Sequence, residues 1–300
     1  MKRASFSRPA GELFFRLWGA LPPRFIRLAA KGGGLLWYKL DQRHRQVAES
    51  NIRLALGYQD ERAVQSLAKE NFIHIAQVLL EAPMVASITA ENCKDFVTVQ
   101  GLELLQSSLQ LGKGVFYLSG HIGNWEWQGY VSPFFVRNRL NVVVRPLSSD
   151  RLNRLLSVLR ERSGNRIIDK KDATRPIFRA LQRNEMVGVL LDQNSSRGSG
   201  VYAPFFGVHV VTHRALATLA IKSGAPVHPA FNWREPSGKY CIEIQPAIPI
   251  PRNGSLKQRV YEATSLFNSA LEAQIRRYPS QWFWIHRRFK HYRTDFVELK

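Results

Sequence analysis

The chain has 300 residues, 45% of them hydrophobic and 22% charged, which excludes a disordered or collagen-like polymer and supplies enough apolar material for a sizeable core. Its 43 Lys and Arg against 23 Asp and Glu give a net charge of +20, so the expected partner is anionic: nucleic acid, an anionic membrane surface, a phosphorylated lipid or an acidic carrier protein. Two cysteines, Cys93 and Cys241, without a C-x-x-C pair or a His cluster at zinc spacing, argue against a disulfide scaffold and a thiolate metal site.

At the start of the chain, Arg16 interrupts the apolar stretch that follows Met1-Lys2-Arg3, and no cleavage pattern follows, so no secretion signal is expected. Residues 13–28 mix Leu, Phe and Trp with arginines at helical spacing, and Pro22-Pro23 divides them into two short pieces. Such a segment can lie in a headgroup layer, burying its apolar side while Arg and Lys face anionic lipid. The alternative is an amphipathic helix docked on its own core. No segment approaches the roughly 20 uninterrupted apolar residues of a membrane span; 114–136, the nearest, carries His121, Asn124, Glu126 and Pro133.

Residues 41–82 predict two helices broken near Gly57 and closed by Pro83. Short apolar runs then alternate with helical ones: strands at 115–118, 141–144, 166–168, 187–191, 227–231 and 240–244, and helices at 152–163, 174–182, 213–223 and 256–278. This alternation predicts an α/β fold with helices on the faces of a sheet. No repeat or domain linker interrupts it. The expected organisation is an amphipathic helical attachment segment, 1–40, and one catalytic domain, 41–300.

The segment with chemistry runs from Gly114 to Glu126, where an apolar strand ends at Leu118 and small residues turn the chain into His121. Strand ends are where α/β sheets place their sites. Glu126 can fold back toward the His121 ring, accept one ring N–H and leave the other nitrogen as a base. An imidazole held this way can take the proton of an alcohol and make it nucleophilic toward an acyl group, with the substrate's hydroxyl in the place a serine has in a Ser-His-Asp triad. Asn124 or neighbouring backbone N–H groups are candidates for stabilising the oxyanion.

His-Ile-Gly-Asn-Trp-Glu at 121–126 is accompanied by Arg145-Pro146, Arg160-x-Arg162-x-Gly164, Asp192-Gln193, Pro204-Phe205-Phe206-Gly207 with Thr212, and the run Pro279 to Lys290. In these blocks and their order, nearly the whole chain resembles the bacterial lipid A biosynthesis acyltransferases, of lauroyl and myristoyl type. The resemblance implies a glycerolipid acyltransferase-like sandwich with a single, mostly parallel or mixed sheet. It implies transfer of a fatty acyl chain from a thioester, usually on acyl carrier protein, to a hydroxyl of a glycolipid at the cytoplasmic face of the bacterial inner membrane. It further implies His121 as general base with Glu126 as its partner, no covalent acyl-enzyme, no metal and no cofactor beyond the acyl co-substrate, carried by carrier protein or coenzyme A.

Arg145 and Arg160 can bind anionic groups of acceptor or donor, since guanidinium grips phosphate through two N–H groups at once; the alternative is solvated arginine. Asp192 and Gln193 follow a buried strand and can face the same cleft, or form an Asx-type turn. Phe206 can line an acyl channel and Gly207 let backbone approach the substrate, or the aromatic pair is core. The tail 276–293 is basic and aromatic, which fits core structure and a membrane interface better than nucleic acid.

Many members of the resembled family begin with a cleaner hydrophobic anchor. Here Arg16, Pro22-Pro23, Arg24 and Arg27 break it, which points to peripheral or monotopic attachment and leaves room for a different acceptor. The expected function is O-acyl transfer to a lipid A precursor. Its alternatives are hydrolysis of the acyl thioester, transfer to phosphatidylinositol mannosides or aminolipids, and, remotely, nucleic-acid binding.

Overall fold

The computed structural model describes residues 18–19, 21–144, 157 and 160–294. Nine helices among them are α1 (Pro23–Leu40), α2 (Gln42–Leu56), α3 (Glu61–Glu81), α4 (Cys93–Phe96), α5 (Leu102–Leu109), α6 (Trp125–Val136), α7 (Thr174–Gln182), α8 (Ala215–Ser223) and α9 (Leu256–Arg277). The strands are β1 (Val97–Gln100), β2 (Val115–Ser119), β3 (Leu140–Val144), β4 (Arg166–Asp169), β5 (Met186–Leu190), β6 (Gly200–Phe205), β7 (Val208–His213), β8 (Val227–Arg234) and β9 (Tyr240–Ile244).

Seven strands form one sheet in the order β1-β9-β8-β2-β5-β3-β4, and β6 and β7 form a separate hairpin. From β8 to β4 every neighbouring pair is parallel, while β9 runs antiparallel to β8 and parallel to β1. The expected α/β fold with a mostly parallel, mixed sheet is the one observed. β2 explains the pattern: all five of its residues are buried, as a central strand covered by helices on both faces requires. Phe116 and Leu118 enter a core beneath α2, α3, α7, α8 and α9, while Val115 and Tyr117 enter the opposite core beneath α5 and α6. Side chains alternate across a strand, so β2 joins the two cores.

The helical run 41–82 breaks where expected. Gly57 takes the left-handed conformation with φ 68° at the end of α2, and the Asp60 carboxylate caps α3 by accepting the Arg62 N–H. The strand at 97–100 was not anticipated, being four residues long with only Val97 buried. The helix expected at 152–163 falls largely outside the described residues.

Helix α1 opens with Pro23, whose missing N–H costs nothing at that position. It buries Ile26, Ala30 and Gly34 and leaves Phe25, Leu28, Leu36 and Leu40 exposed. The three consecutive glycines of α1 are not equivalent. A Cβ on Gly34 would stand 2.5 Å from the Ile73 Cα and 2.9 Å from the Phe72 oxygen of α3, whereas Gly32 and Gly33 have nothing within 4 Å. Gly34→Ala is therefore expected to cost about 1–3 kcal/mol by forcing two backbones apart. Gly33→Ala should stabilise by about 0.5–1 kcal/mol through helix propensity. Paired urea titrations measure both, and equal effects would refute the close helix crossing.

Candidate active site

Strand β2 delivers its last residue, Ser119, opposite Leu190 of β5, and the Leu191 N–H continues the ladder to the Ser119 oxygen at 3.0 Å. Two residues further along each strand, His121 and Asp192 meet above the middle of the sheet. Gly120 makes the approach possible, because a Cβ there would stand 3.3 Å from the Asp192 carboxyl carbon and 2.8 Å from Leu271. Gly123, at φ 60°, turns the chain into α6 in a space where a Cβ would collide with the Asn232 side-chain oxygen.

The His121 Nδ1–H donates to Asp192 Oδ1 at 2.8 Å, and Asp192 Oδ2 accepts the His121 backbone N–H at 2.9 Å and the Trp282 indole N–H at 2.8 Å. Asp192 is 2% exposed. Burial alone would raise its pKa, but the adjoining His121 and the three hydrogen bonds outweigh it and hold the carboxyl at about 2. His121 Nε2 lies 3.3 Å from the Gln193 side-chain nitrogen, which donates to it. Trp125 and Phe283 flank the imidazole with ring centroids 5.1 and 5.7 Å away.

This geometry corrects the expected pairing of His121 with Glu126. Both ring nitrogens are engaged by the loop after β5, and Glu126, in the first turn of α6, is held instead by Arg160, whose Nη2 and Nε bind its two oxygens at 2.6 and 3.0 Å. The guanidinium fork matches a carboxylate at both oxygens, a stronger attachment than a single ring N–H. Arg160, expected on an anionic substrate, thus turns Nε and Nη2 to Glu126. Arg145 lies outside the described residues.

Three further expectations are corrected. The Asn124 side chain is wholly buried, accepting the Trp127 N–H at 3.1 Å as the cap of α6 and donating to Glu81, so it faces no substrate. Phe206 and Gly207, at φ 52° and 76°, are the two-residue turn of the β6–β7 hairpin, where both positions need positive φ. Gly207 is there for turn geometry, and Phe206 packs 4.7 Å from Phe205 with its N–H on Glu272 Oε2 at 2.7 Å.

The residues missed lie in the C-terminal loop, whose Trp282, Trp284 and Arg288 are almost completely buried. The loop pairs with the His121 turn: the Phe283 N–H donates to the His121 oxygen at 3.0 Å and the Gly123 N–H to the Gln281 oxygen at 2.9 Å. His286 accepts the Asn194 N–H at 3.0 Å, and burial pushes its pKa down, keeping it neutral and able to accept. Arg288 donates to the Gln193 oxygen at 2.9 Å. The sequence signals were the density of aromatic and basic residues in this stretch and its place as the last block of the resemblance, neither of which says what these side chains touch. Among the described residues no group of three His, Cys, Asp or Glu side chains is placed to hold a metal ion.

A histidine fixed by a buried carboxylate, with its other nitrogen near solvent at the carboxyl ends of central parallel strands, is equipped to remove a proton from a hydroxyl. The family model of the bacterial lipid A biosynthesis acyltransferases matches residues 6–291, and the chain belongs to that family; it is an acyltransferase. It is 25% identical to the lipid A biosynthesis palmitoleoyltransferase of Escherichia coli K12, over 91% of this chain and 88% of that protein. Identity to the lipid A biosynthesis lauroyltransferase of the same strain is 25%, over 90% and 87% of the two chains. A phosphatidylinositol mannoside acyltransferase of Mycolicibacterium smegmatis is 24% identical over 85% of this chain and 80% of its own.

Proposed function

We infer that the protein transfers a fatty acyl chain from a thioester on acyl carrier protein to a hydroxyl of a lipid A precursor or a related glycolipid. The observation that carries this reading is the Asp192–His121 bond, with Nε2 hydrogen-bonded, among the described residues, only to the amide of an exposed glutamine. The acceptor hydroxyl displaces Gln193 from Nε2 and gives up its proton there. Its oxygen attacks the thioester carbonyl; on collapse the carbon–sulfur bond breaks, and the proton on Nε2 passes to the departing thiolate. Asp192 fixes the tautomer and stabilises the transient imidazolium. Glu126 acts through Arg160, tying the residue-160 stretch to the start of α6 beside His121.

A peripheral position on the cytoplasmic face of the inner membrane accompanies this reading. No helix among the described residues is long and apolar enough to cross a membrane. On α1, Phe25, Leu28, Leu36 and Leu40 stand exposed among Arg24, Arg27, Lys31 and Lys39, the composition of a helix that lies in an anionic interface. Residues 1–40 are accordingly proposed as the attachment segment.

The test is incubation of detergent-purified protein with labelled acyl carrier protein thioester and a tetra-acylated Kdo-lipid A precursor, read by mass spectrometry. The precursor should gain one acyl chain, and His121→Gln should lower the rate about 10²–10⁴-fold with folding intact. An unaffected variant removes His121 from the mechanism. Release of free fatty acid without acylated lipid would favour the thioesterase. Acylation of phosphatidylinositol mannoside alone would favour the second acceptor, which the mycobacterial relative supports.

A further inference from the structure

On the side of the C-terminal loop away from His121 lies an open groove of about 670 Å³ between α2 and that loop. Its α2 wall is one helical face. Arg43, Val47, Ser50 and Leu54 recur at spacings of three and four and span about 16 Å, long enough for three turns of a second helix. Val47, Leu54 and Phe289 give it an apolar floor, and Arg43, Arg287 and Lys290 stand exposed at its rims. Among the described residues none of these three cations pairs with a carboxylate, whereas the fourth cation of the groove, Arg53, is occupied by Glu61 at 2.8 Å.

The same loop serves both surfaces. Trp282 and Arg288 engage Asp192 and Gln193, His286 holds Asn194, and Arg287 and Lys290 turn to the groove. Asn51 of α2 fixes the loop by donating to the Trp284 and His286 oxygens at 2.7 and 2.8 Å. Through this loop the groove is connected to the Asp192–Gln193 segment that holds the catalytic histidine. An elongated channel with an apolar floor and unpaired cations at its edges is complementary to an amphipathic helix with acidic flanks.

We propose that this groove receives an acidic amphipathic helix of the protein that carries the acyl thioester. The inference rests on the carrier-borne donor proposed above. It accounts for the concentration of unpaired positive charge on the far side of the loop that shapes the site.

The test is the triple variant Arg43→Glu/Arg287→Glu/Lys290→Glu, whose three side chains are exposed, compared with wild type on two donors: acyl carrier protein thioester and acyl-pantetheine, a neutral thioester of the same reactivity. Binding of the holo carrier protein is followed alongside by fluorescence anisotropy. With the carrier, kcat/KM should fall at least tenfold and binding weaken by a similar factor, with a shallower dependence on salt, while the rate with acyl-pantetheine stays unchanged. Unchanged carrier binding overturns the proposal, as does an equal loss with both donors or a weakened association with phosphatidylglycerol vesicles in place of carrier binding. If wild type itself neither binds nor uses the carrier but acylates from acyl-pantetheine, the donor reading fails and the groove proposal fails with it. Carrier use by wild type that the variant retains removes the groove alone.

Discussion

Asp192→Asn is expected to lower kcat for acyl transfer about 10³–10⁴-fold with little change in KM. The carboxylate has two differently loaded oxygens: Oδ2 accepts two N–H groups, from the His121 backbone and Trp282, and Oδ1 accepts only the His121 Nδ1–H. An asparagine places its carbonyl where two donors converge and its NH₂ against Nδ1. Two donors cannot face each other, so the ring must carry its proton on Nε2, where it can no longer accept one from the acceptor hydroxyl. The equivalent change in a serine-protease triad costs about 10⁴ in kcat for the same reason. Single-turnover rates and the ¹⁵N shifts of the His121 ring would report the two effects separately. A loss under tenfold, or an unchanged tautomer, would show that Asp192 is not the orienting group. The charge also bears on stability: because folding lowers the carboxyl pKa from 3.8 to about 2, its contribution is full above that range and is lost as pH falls through it.

What could be read in the sequence divides along the distance over which each contact acts. The strand before His121 was legible because an apolar run ended by small residues is a local signal, whereas Asn124, the cap of the helix that follows, reads in the sequence as an oxyanion group. The break at Gly57 was legible in the same way as the strand. The partner of His121 was not, since Glu126 is five residues away in the chain while Asp192 arrives through the β2–β5 pairing, which exists only because the chain inserts β5 between β2 and β3 after both are made. Asp192 and Gln193 could be placed near the cleft by their strand-end position, yet nothing local says which nitrogen each would face. The Phe206-Gly207 pair had a local signal that was misread: two β-rich runs separated by two residues, the second a glycine, mark a hairpin turn. The tail's tryptophans suggested both core and interface. Trp282 and Trp284 are buried with ring centroids 4.5 Å apart, a packing decided by α3, α9 and the hairpin together.

Two adjacent arginines in that tail provide the other large expected effect. Arg288 is 1% exposed, with Nη1 donating to the Gln193 and Val211 oxygens at 2.9 and 3.0 Å and Nη2 to Thr212 Oγ1 at 2.7 Å; its guanidinium carbon lies 4.9 Å from the Phe205 ring centroid. Burial pushes its pKa down to about 10 while Asp192 pulls it up, so it remains a cation at neutral pH. Arg288→Met preserves much of the volume but removes the donor of the Gln193 oxygen and one of the donors of the Val211 oxygen and the Thr212 hydroxyl, which keep the Ser195 N–H and the Asn268 amide. It should cost about 2–4 kcal/mol, from the buried acceptor left unsatisfied and the charge-assisted hydrogen bonds lost. Arg288→Lys should recover only part of this, since an ammonium cannot reproduce the planar fork. Arg287→Met, one residue away but exposed, should stay within about 0.5 kcal/mol of wild type. Equilibrium urea unfolding of the three variants distinguishes these cases, and equal stabilities for Arg287→Met and Arg288→Met would refute the buried assignment. Activity adds a second readout. Because Arg288 holds the Gln193 oxygen, Arg288→Met assayed where it is still folded should lose kcat as the Asp192–Gln193 segment relaxes from His121, whereas Arg287→Met should keep its turnover with a neutral thioester donor.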